Sequence, residues 1–278
     1  MQWQPPAKKR RGRPRNLAPE AAPGTVTALD RGLMLLQALA SEGSMSLTDL
    51  SLKVGVPTST AHRILVTLEK RGFTNLSEDS NEWSIGIESF RVGNAYIERT
   101  NLVENSRTVM RNLMETTGET ANLAIVDGGA VVFISQVESH NPIRAFFRPG
   151  TRGNMHASGI GKALLANMLK RDVEKILHSK GCPEYTANTL TSPAELFLDL
   201  EKTRQRGWAF DDEERHIGMR CIAACIYNTF GEAIAGISVS GPAVRFSDNK
   251  LQLIGEQVRE AAHQVTVLIG GKQRDNNV

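Results

Sequence analysis

The chain has 278 residues, 40% of them hydrophobic and 23% charged, which is typical of a globular protein with room for about two domains. No apolar run approaches the roughly 20 residues of a membrane span, and the basic N-terminus lacks the apolar core of a secretory signal. The three cysteines, Cys182, Cys221 and Cys225, are too few for a disulfide framework, so we expect a cytoplasmic protein without a membrane partner.

The positive charge is concentrated at the N-terminus. Residues 1–20 carry six lysines and arginines against one acidic residue, whereas the whole chain has a net charge of only +3. Residues 1–24 are also rich in proline, which predicts a basic arm that is disordered until it binds DNA. Within the arm, Arg11, Arg13 and Arg15 surround Gly12 and Pro14 as in an AT-hook, which inserts into a narrow minor groove. The alternative is a generic basic tail that contacts phosphates.

A first helix is predicted to begin at Thr27. Thr27 and Asp30 have the spacing of a capping box. The apolar residues that we expect on its buried stripe are Leu29, Leu33, Leu36 and Ala40.

The next elements follow the order of a winged helix-turn-helix, a DNA-binding unit predicted over residues 25–88. Ser46 caps a second helix, Gly55 ends it, and a third helix follows over about residues 58–71. Two strands, 73–76 and 83–87, form the wing. The acidic tip between them, Glu78, Asp79 and Glu82, should stay away from phosphate, so DNA affinity is assigned to the third helix and the basic arm.

The third helix is the predicted recognition helix. Its buried stripe should be Ala61, Ile64, Leu65 and Leu68. Its N-terminal polar side chains are the predicted DNA contacts: Thr58, Ser59, Thr60, His62 and Arg63. Arg63 is the best candidate for guanine or phosphate, because its guanidinium can donate two hydrogen bonds. The alternative is an ordinary solvated helix face.

A linker helix is predicted over residues 89–104. Its apolar residues, among them Phe90 and Val92, either dimerise or pack on the domain itself. The second domain, 105–272, alternates strands and helices before a short tail, 273–278. Strands are predicted at 120–127, 130–138, 142–147, 207–211, 222–228 and 233–240, and helices at 158–169, 193–206 and 249–269. Hairpins dominate, so we expect an α+β fold with a mainly antiparallel sheet flanked by helices.

Three polar segments of this domain could carry chemistry: 155–162, 211–221 and 238–242. The first opens a helix with Gly159 and Gly161, which suits an anion at the helix N-terminus. Each also has a plainer interpretation as a helix cap, a solvated loop or packing cysteines. No Cys/His pairs have zinc spacing, and no Gly-x-Ser-x-Gly elbow is present. We therefore expect no metal, no cofactor and no enzyme activity.

Several stretches together resemble the IclR family of bacterial transcription regulators. They are residues 27–33, the helix-turn-helix ending at residues 59–63, and the pair 155–162 with 211–224. The match runs from about residue 25 to 270 and is closest in pattern to the regulators of glyoxylate and allantoin metabolism. The resemblance implies a winged helix, a linker helix and an effector domain related to the GAF fold. It also implies dimers that pair into tetramers on palindromic operators.

The resemblance also implies a site for a small acid. The backbone amides of Gly159 and Ile160 would hold its carboxylate. The aldehyde or hydrate end would be surrounded by Asp211, Cys221, Ser238 and Ser240. These matches favour a small 2-oxo acid, glyoxylate first and pyruvate second, whose binding changes operator affinity.

Two departures from that pattern bear on which acid is bound. Ile160 stands where the relatives have alanine, and Ala145-Phe146-Phe147 stands where they have Met-Ser-Ala. Both could reshape the apolar wall of the site. The alternatives are an aromatic acid as effector, a thiol redox sensor through Cys221 and Cys225, or a catalytic effector domain.

Overall fold

The computed structural model describes residues 24–98 and 102–272, which divide into two compact units between Tyr96 and Ile97, inside the predicted linker. The basic arm with Arg11, Arg13 and Arg15 lies outside the described residues, as does the tail 273–278. Within the described ranges, no helix has the length and apolarity that crossing a bilayer requires.

The N-terminal unit is a winged helix-turn-helix, as predicted. Its elements are α1 (Thr27–Glu42), β1 (Ser44–Ser46), α2 (Leu47–Val54), α3 (Thr58–Glu69), β2 (Thr74–Leu76), β3 (Glu82–Ile85) and α4 (Ile87–Glu98). The three strands form an antiparallel sheet in the order β1-β3-β2. Strand β1, which the sequence analysis missed, adds a third strand to the predicted two-stranded wing.

The predicted signals at both ends of α2 are confirmed. Ser46 caps α2, because its hydroxyl accepts the backbone N–H of Asp49 at 3.2 Å. Gly55 ends α2 with a left-handed backbone at φ 69°, which glycine adopts without strain. The chain then enters the core at Val56, whose carbonyl accepts the hydroxyl of Ser51.

The predicted features of α1 are wrong in two respects. Its N-cap is Val26, which makes no side-chain cap, so Thr27 and Asp30 form no capping box. Leu29 is 63% exposed and Leu33 52% exposed, while Gly32, Leu35, Ala38 and Leu39 are buried instead. The helix is leucine-rich on more than one side, and only packing against α2, α3 and β3 selects the buried stripe.

The C-terminal unit is built on one antiparallel sheet, as predicted. Its elements are α5 (Leu102–Thr117), β4 (Thr120–Asp127), β5 (Ala130–Val137), β6 (Arg152–Asn154), α6 (Gly159–Ala166), α7 (Lys170–Lys180), α8 (Pro193–Arg206), β7 (Ala209–Asp212), β8 (Met219–Tyr227), β9 (Ala233–Pro242) and α9 (Asp248–Leu268). The strand order is β6-β5-β4-β9-β8-β7.

Helices cover both faces of this sheet. Ile222, Ala224 and Ile226 on β8 belong to the core that α5 and α9 share, whereas Ala223 and Cys225 pack with α6 and α8. This alternation is the two-residue period of a strand buried on both sides. Cys221 and Cys225 therefore share the α6 face.

The predicted strand at 142–147 is wrong, because the segment is irregular. The place beside β5 is taken by β6, which the sequence analysis did not predict. The alternating apolar residues of 142–147 serve another purpose: Ala145 is buried, with its carbonyl accepting the hydroxyl of Thr120, and Phe147 stacks on Phe133. Helix α7 was also missed, and the helix predicted over 158–169 ends at Ala166.

Candidate functional site

The first candidate site is the N-terminal half of α3. Ala61 and Leu65 are buried against the rest of the unit, while Ile64 and Leu68 are only half-buried, a partial correction to the predicted stripe. The predicted DNA contacts lie on the other side: Thr58, Ser59, His62 and Arg63 are exposed and Thr60 is half-buried. The structure thus presents all five on the surface.

Two of these side chains also have structural contacts. The hydroxyl of Thr58 lies 3.0 Å from that of Ser51 on α2, and the ring of His62 meets Trp83 edge-on at 6.4 Å. Arg63 forms no ion pair within the described ranges, so its guanidinium is available to a ligand. The acidic wing tip carries exposed Glu78 and Asp79, which is unfavourable for close phosphate contact.

The second candidate site is a cavity of about 200 Å³ in the C-terminal unit. All six predicted ligand-binding residues line it: Gly159, Ile160, Asp211, Cys221, Ser238 and Ser240. They come from α6 and from strands β7, β8 and β9. Pairing of these strands brings Cys221 opposite both Asp211 and Ser240.

The N-terminus of α6 forms one end of the cavity. Ser158 caps the helix by accepting the amide of Gly161 at 3.3 Å, and the earlier amides, of Gly159 and Ile160, have no acceptor within the helix. A Cβ at position 159 would lie 2.8 Å from Sγ of Cys221, so any larger residue there would displace that thiol. Free amides at a helix N-terminus are an arrangement that binds a carboxylate.

Asp211 is a buried carboxylate on the cavity wall. Its Oδ1 accepts the backbone N–H of Glu214 at 2.9 Å. Burial raises the pKa of Asp211 to about 6, although the nearby charge of Lys162 opposes this shift. The side chain can therefore accept hydrogen bonds from a hydrated carbonyl when ionised and donate one when protonated.

Lys162 supplies the positive charge behind Asp211, a role that the sequence analysis missed. Its Nζ lies 2.5 Å from Oε1 of Glu214 and 2.9 Å from Oδ2 of Asp199, and it also donates to the carbonyl of Phe210. Burial opposes its charge, but the two carboxylates outweigh burial and raise its pKa. Burial also raises the pKa of Glu214 to about 7, against the effect of Lys162.

The two cysteines of β8 are protonated thiols at neutral pH. Burial raises the pKa of Cys221 to about 12, with the charge of Asp211 adding to the effect. Burial likewise raises the pKa of Cys225 to about 12. Redox-sensing cysteines need an accessible thiolate, so these environments do not favour the redox interpretation.

Asn122 orders the two cavity serines and was also missed. It lies fully buried on β4, and its Nδ2 is 3.3 Å from Oγ of Ser240 and 3.5 Å from Oγ of Ser238. Gln136 on β5 donates to its Oδ1 at 2.8 Å. A signal was present, since an asparagine inside an otherwise apolar strand needs a hydrogen-bonding partner.

A short segment before α8 holds the loop that follows Asp211. Thr189 donates to the carbonyl of Glu214 at 2.6 Å, Thr186 to that of Glu213 at 2.7 Å, and Asn188 to that of Asp212 at 3.0 Å. Spacing in the sequence could not reveal these contacts, because they join residues 24 or more positions apart.

Aromatic side chains form the apolar wall of the cavity. Phe133 and Phe147 stack with their ring centres 4.5 Å apart and their planes 4° apart, and Phe146 also lines the cavity while remaining 57% exposed. Both sequence departures, Ile160 and the Phe146-Phe147 pair, thus border the cavity. No group of three or more His, Cys, Asp or Glu residues in the described ranges could hold a metal ion.

Comparison with known proteins covers nearly the whole chain. Residues 28–75 match the IclR helix-turn-helix domain, and residues 94–267 match the C-terminal domain of the bacterial transcriptional regulator IclR. The chain is 47% identical over 261 residues to the HTH-type transcriptional regulator BhcR of Paracoccus denitrificans, covering 93% of this chain and 94% of that protein. It is 42% identical over 269 residues to the transcriptional repressor IclR of Escherichia coli, covering 96% and 98%.

Solved structures share the fold. The IclR protein of Thermotoga maritima superposes with a TM-score of 0.75 at 28% identity, covering 88% of this chain and 99% of that one. An IclR homologue from Microbacterium hydrocarbonoxydans, crystallised with 4-hydroxybenzoate, superposes with a TM-score of 0.78 at 23% identity, covering 87% and 98%.

Proposed function

Since the chain belongs to the IclR family of bacterial transcriptional regulators, we propose that it is a repressor that senses a small 2-oxo acid, glyoxylate first and pyruvate second. The chain is a DNA-binding regulator with a C-terminal effector domain rather than an enzyme, because its homologues are regulators.

One observation carries this proposal: the six residues that the family resemblance assigns to an acid site line a single cavity. Its volume of about 200 Å³ is below the roughly 300–1,000 Å³ of sites for drug-sized ligands, which supports a small effector. The acid's carboxylate would take the amides of Gly159 and Ile160. Its hydrated carbonyl would donate to Asp211 and contact the hydroxyls of Ser238 and Ser240.

The effector acts by shifting a population of conformations. An acid that binds two quaternary arrangements with different affinity favours one of them and so changes the spacing of the recognition helices.

We propose a dimer that pairs into a tetramer on a palindromic operator in the cytoplasm. Exposed Phe90 and Val92 on α4 are candidates for the contact between copies. The GAF relationship of the effector domain is part of the same proposal.

DNA binding is assigned to two parts of the chain. Thr58, Ser59, Thr60, His62 and Arg63 of α3 would contact the major groove. The arginines of the basic arm, Arg11, Arg13 and Arg15, would add minor-groove or phosphate contacts.

An aromatic acid is the second candidate effector. The cavity wall of Phe133, Phe146 and Phe147 could stack on an aromatic ring. A structural relative was crystallised with 4-hydroxybenzoate, although at 23% identity it shares only the fold.

Calorimetric titration of the full chain with glyoxylate, pyruvate and 4-hydroxybenzoate separates these effectors. Saturable binding of glyoxylate that is lost in Ser240→Val supports the proposal. Ser179→Val, an exposed substitution on α7, is the control and should bind normally. Operator binding without acid should persist in both variants. Binding of 4-hydroxybenzoate but of neither small acid would leave the assignment as a regulator standing and identify an aromatic acid as its effector.

A further inference from the structure

Arg215 borders the effector cavity without a polar partner of its own. It follows Glu214 in the loop after β7 and is one of two arginines that line the cavity. The other, Arg152, is already engaged, because its Nη1 lies 2.7 Å from Oδ2 of Asp127. Neighbouring Lys162 and Arg220 also pair with carboxylates. In the part of the chain that the structure describes, Arg215 forms no ion pair.

Arg215 packs on an aromatic ring, which leaves the N–H groups of its guanidinium free to donate hydrogen bonds. The guanidinium lies over the ring of Tyr185, 3.7 Å from its centre, and Tyr185 donates in turn to Oδ1 of Asn154 at 2.8 Å. Nη1 of Arg215 is buried and has no acceptor within the described residues. A guanidinium offers five N–H donors, and a buried donor without an acceptor is unfavourable. Nothing in the described part of the free protein therefore competes with a ligand for this group.

The charge of Arg215 acts on the polar end of the cavity. Burial raises the pKa of Asp211, and the positive charges of Lys162 and then Arg215 lower it. Burial lowers the pKa of His156, and Arg215 lowers it further. An anionic acid in this cavity faces the carboxylate of Asp211, and a nearby unpaired cation offsets their repulsion.

We infer that Arg215 is an effector-binding residue whose guanidinium donates a hydrogen bond to an oxygen of the bound acid. The inference rests on the proposed function and adds a cation to a site otherwise made of amides, hydroxyls, a thiol and a carboxylate. Because the guanidinium lies over the ring of Tyr185 and is not fixed by an ion pair within the described residues, a small rotation can direct its donors to the ligand. Arg215 then selects acids over neutral molecules of the same size.

The test is calorimetric titration of full-length variants with glyoxylate and with pyruvate. Charge-assisted hydrogen bonds are strong, so Arg215→Gln should weaken binding of the preferred acid by about 10-fold or more. Arg215→Lys keeps the charge but loses the planar fork, so its affinity for the acid should lie between those of the wild type and Arg215→Gln. Arg171→Gln removes an exposed arginine on α7 and should bind as the wild type does.

Two further readouts separate ligand binding from a structural role. Operator binding without acid and the thermal unfolding midpoint should be unchanged in Arg215→Gln. Wild-type affinity in Arg215→Gln, or a parallel loss of stability and operator binding, overturns the inference and leaves the proposed function standing. If the wild-type chain binds neither acid, the proposed function fails, and the inference with it.

Discussion

Nζ of Lys162 lies 2.5 Å from Oε1 of Glu214 in the interior of the C-terminal unit. Glu214 follows Asp211, which lines the cavity, by three positions in the chain. The pair, with Asp199 of α8 2.9 Å from the same nitrogen, joins α6 and α8 to the loop after β7. One buried cation thus pairs with two carboxylates from different elements.

Replacing Lys162 with methionine should destabilise the protein strongly. The change leaves the buried Glu214 and the half-buried Asp199 without their shared cation, and breaking a buried pair in this way costs about 3–5 kcal/mol. The measurement is the free energy of unfolding in urea. Lys175→Met, which removes an exposed lysine paired with Asp172 at 3.0 Å, is the control and should change stability by no more than about 1 kcal/mol. A change in Lys162→Met of no more than about 1 kcal/mol would show that the buried pair does not contribute to the free energy of unfolding.

The contribution of Asp211 and Glu214 to stability should fall as the pH rises from about 4 to 7. Asp211 and Glu214 have pKa values raised to about 6 and about 7, so the folded protein holds protons that the unfolded chain has already released. Their contribution is complete below the unfolded pKa values and is lost as the pH passes through the folded ones. Unfolding curves across this range should show a shallower decline in Asp211→Asn. An identical slope in the variant would contradict the shift at Asp211.

Replacing Asn122 with alanine should weaken effector binding without affecting operator binding. Asn122 donates to the hydroxyls of both Ser238 and Ser240, so its loss removes one hydrogen bond from each cavity serine and leaves Gln136 without its acceptor. We expect about a 10-fold loss of effector affinity, corresponding to one buried hydrogen bond of roughly 1–1.5 kcal/mol. Calorimetry measures it, with Asn112→Ala, an exposed substitution on α5, as the control. Unchanged affinity would show that the serines are positioned by their strands alone.

Arg63→Ala should reduce specific DNA binding. If Arg63 reads a base, the operator complex loses about 1–3 kcal/mol while binding to unrelated duplex is unaffected. Binding isotherms on both duplexes measure this, and Arg71→Ala, an exposed arginine beyond the end of α3, is the control. An equal loss on both duplexes would identify Arg63 as a phosphate contact instead.

Deleting residues 1–20 should make DNA binding less dependent on salt. The deletion removes six cations, and the slope of log affinity against log salt becomes shallower by about 0.9 for each phosphate that is no longer neutralised. Titrations at several salt concentrations measure the slope. The same slope with and without the arm would mean that the arm does not touch the duplex.

Much of the architecture was predictable because its signals are local. The cap at Ser46, the left-handed Gly55 and the hairpin of β4 and β5 each depend on a few neighbouring residues. The predictions that were wrong concern features that depend on distant partners. The buried stripe of α1 was assigned to Leu29 and Leu33, but packing against the other helices buries different residues. A strand was assigned to 142–147, but β6 is the strand that pairs with the edge of β5.

The sequence by itself determined the class of DNA-binding unit and most of the order of elements, because turn chemistry and periodicity depend on neighbouring residues, and its resemblance to the IclR family assigned the six candidate acid-site residues. Only the tertiary structure decided that those six residues enclose one cavity, that Lys162 lies behind Asp211, and that Arg215 has no ionic partner among the described residues. The physical reason is that burial and hydrogen bonding act between residues far apart in the chain, and their energies depend on distances that spacing does not encode.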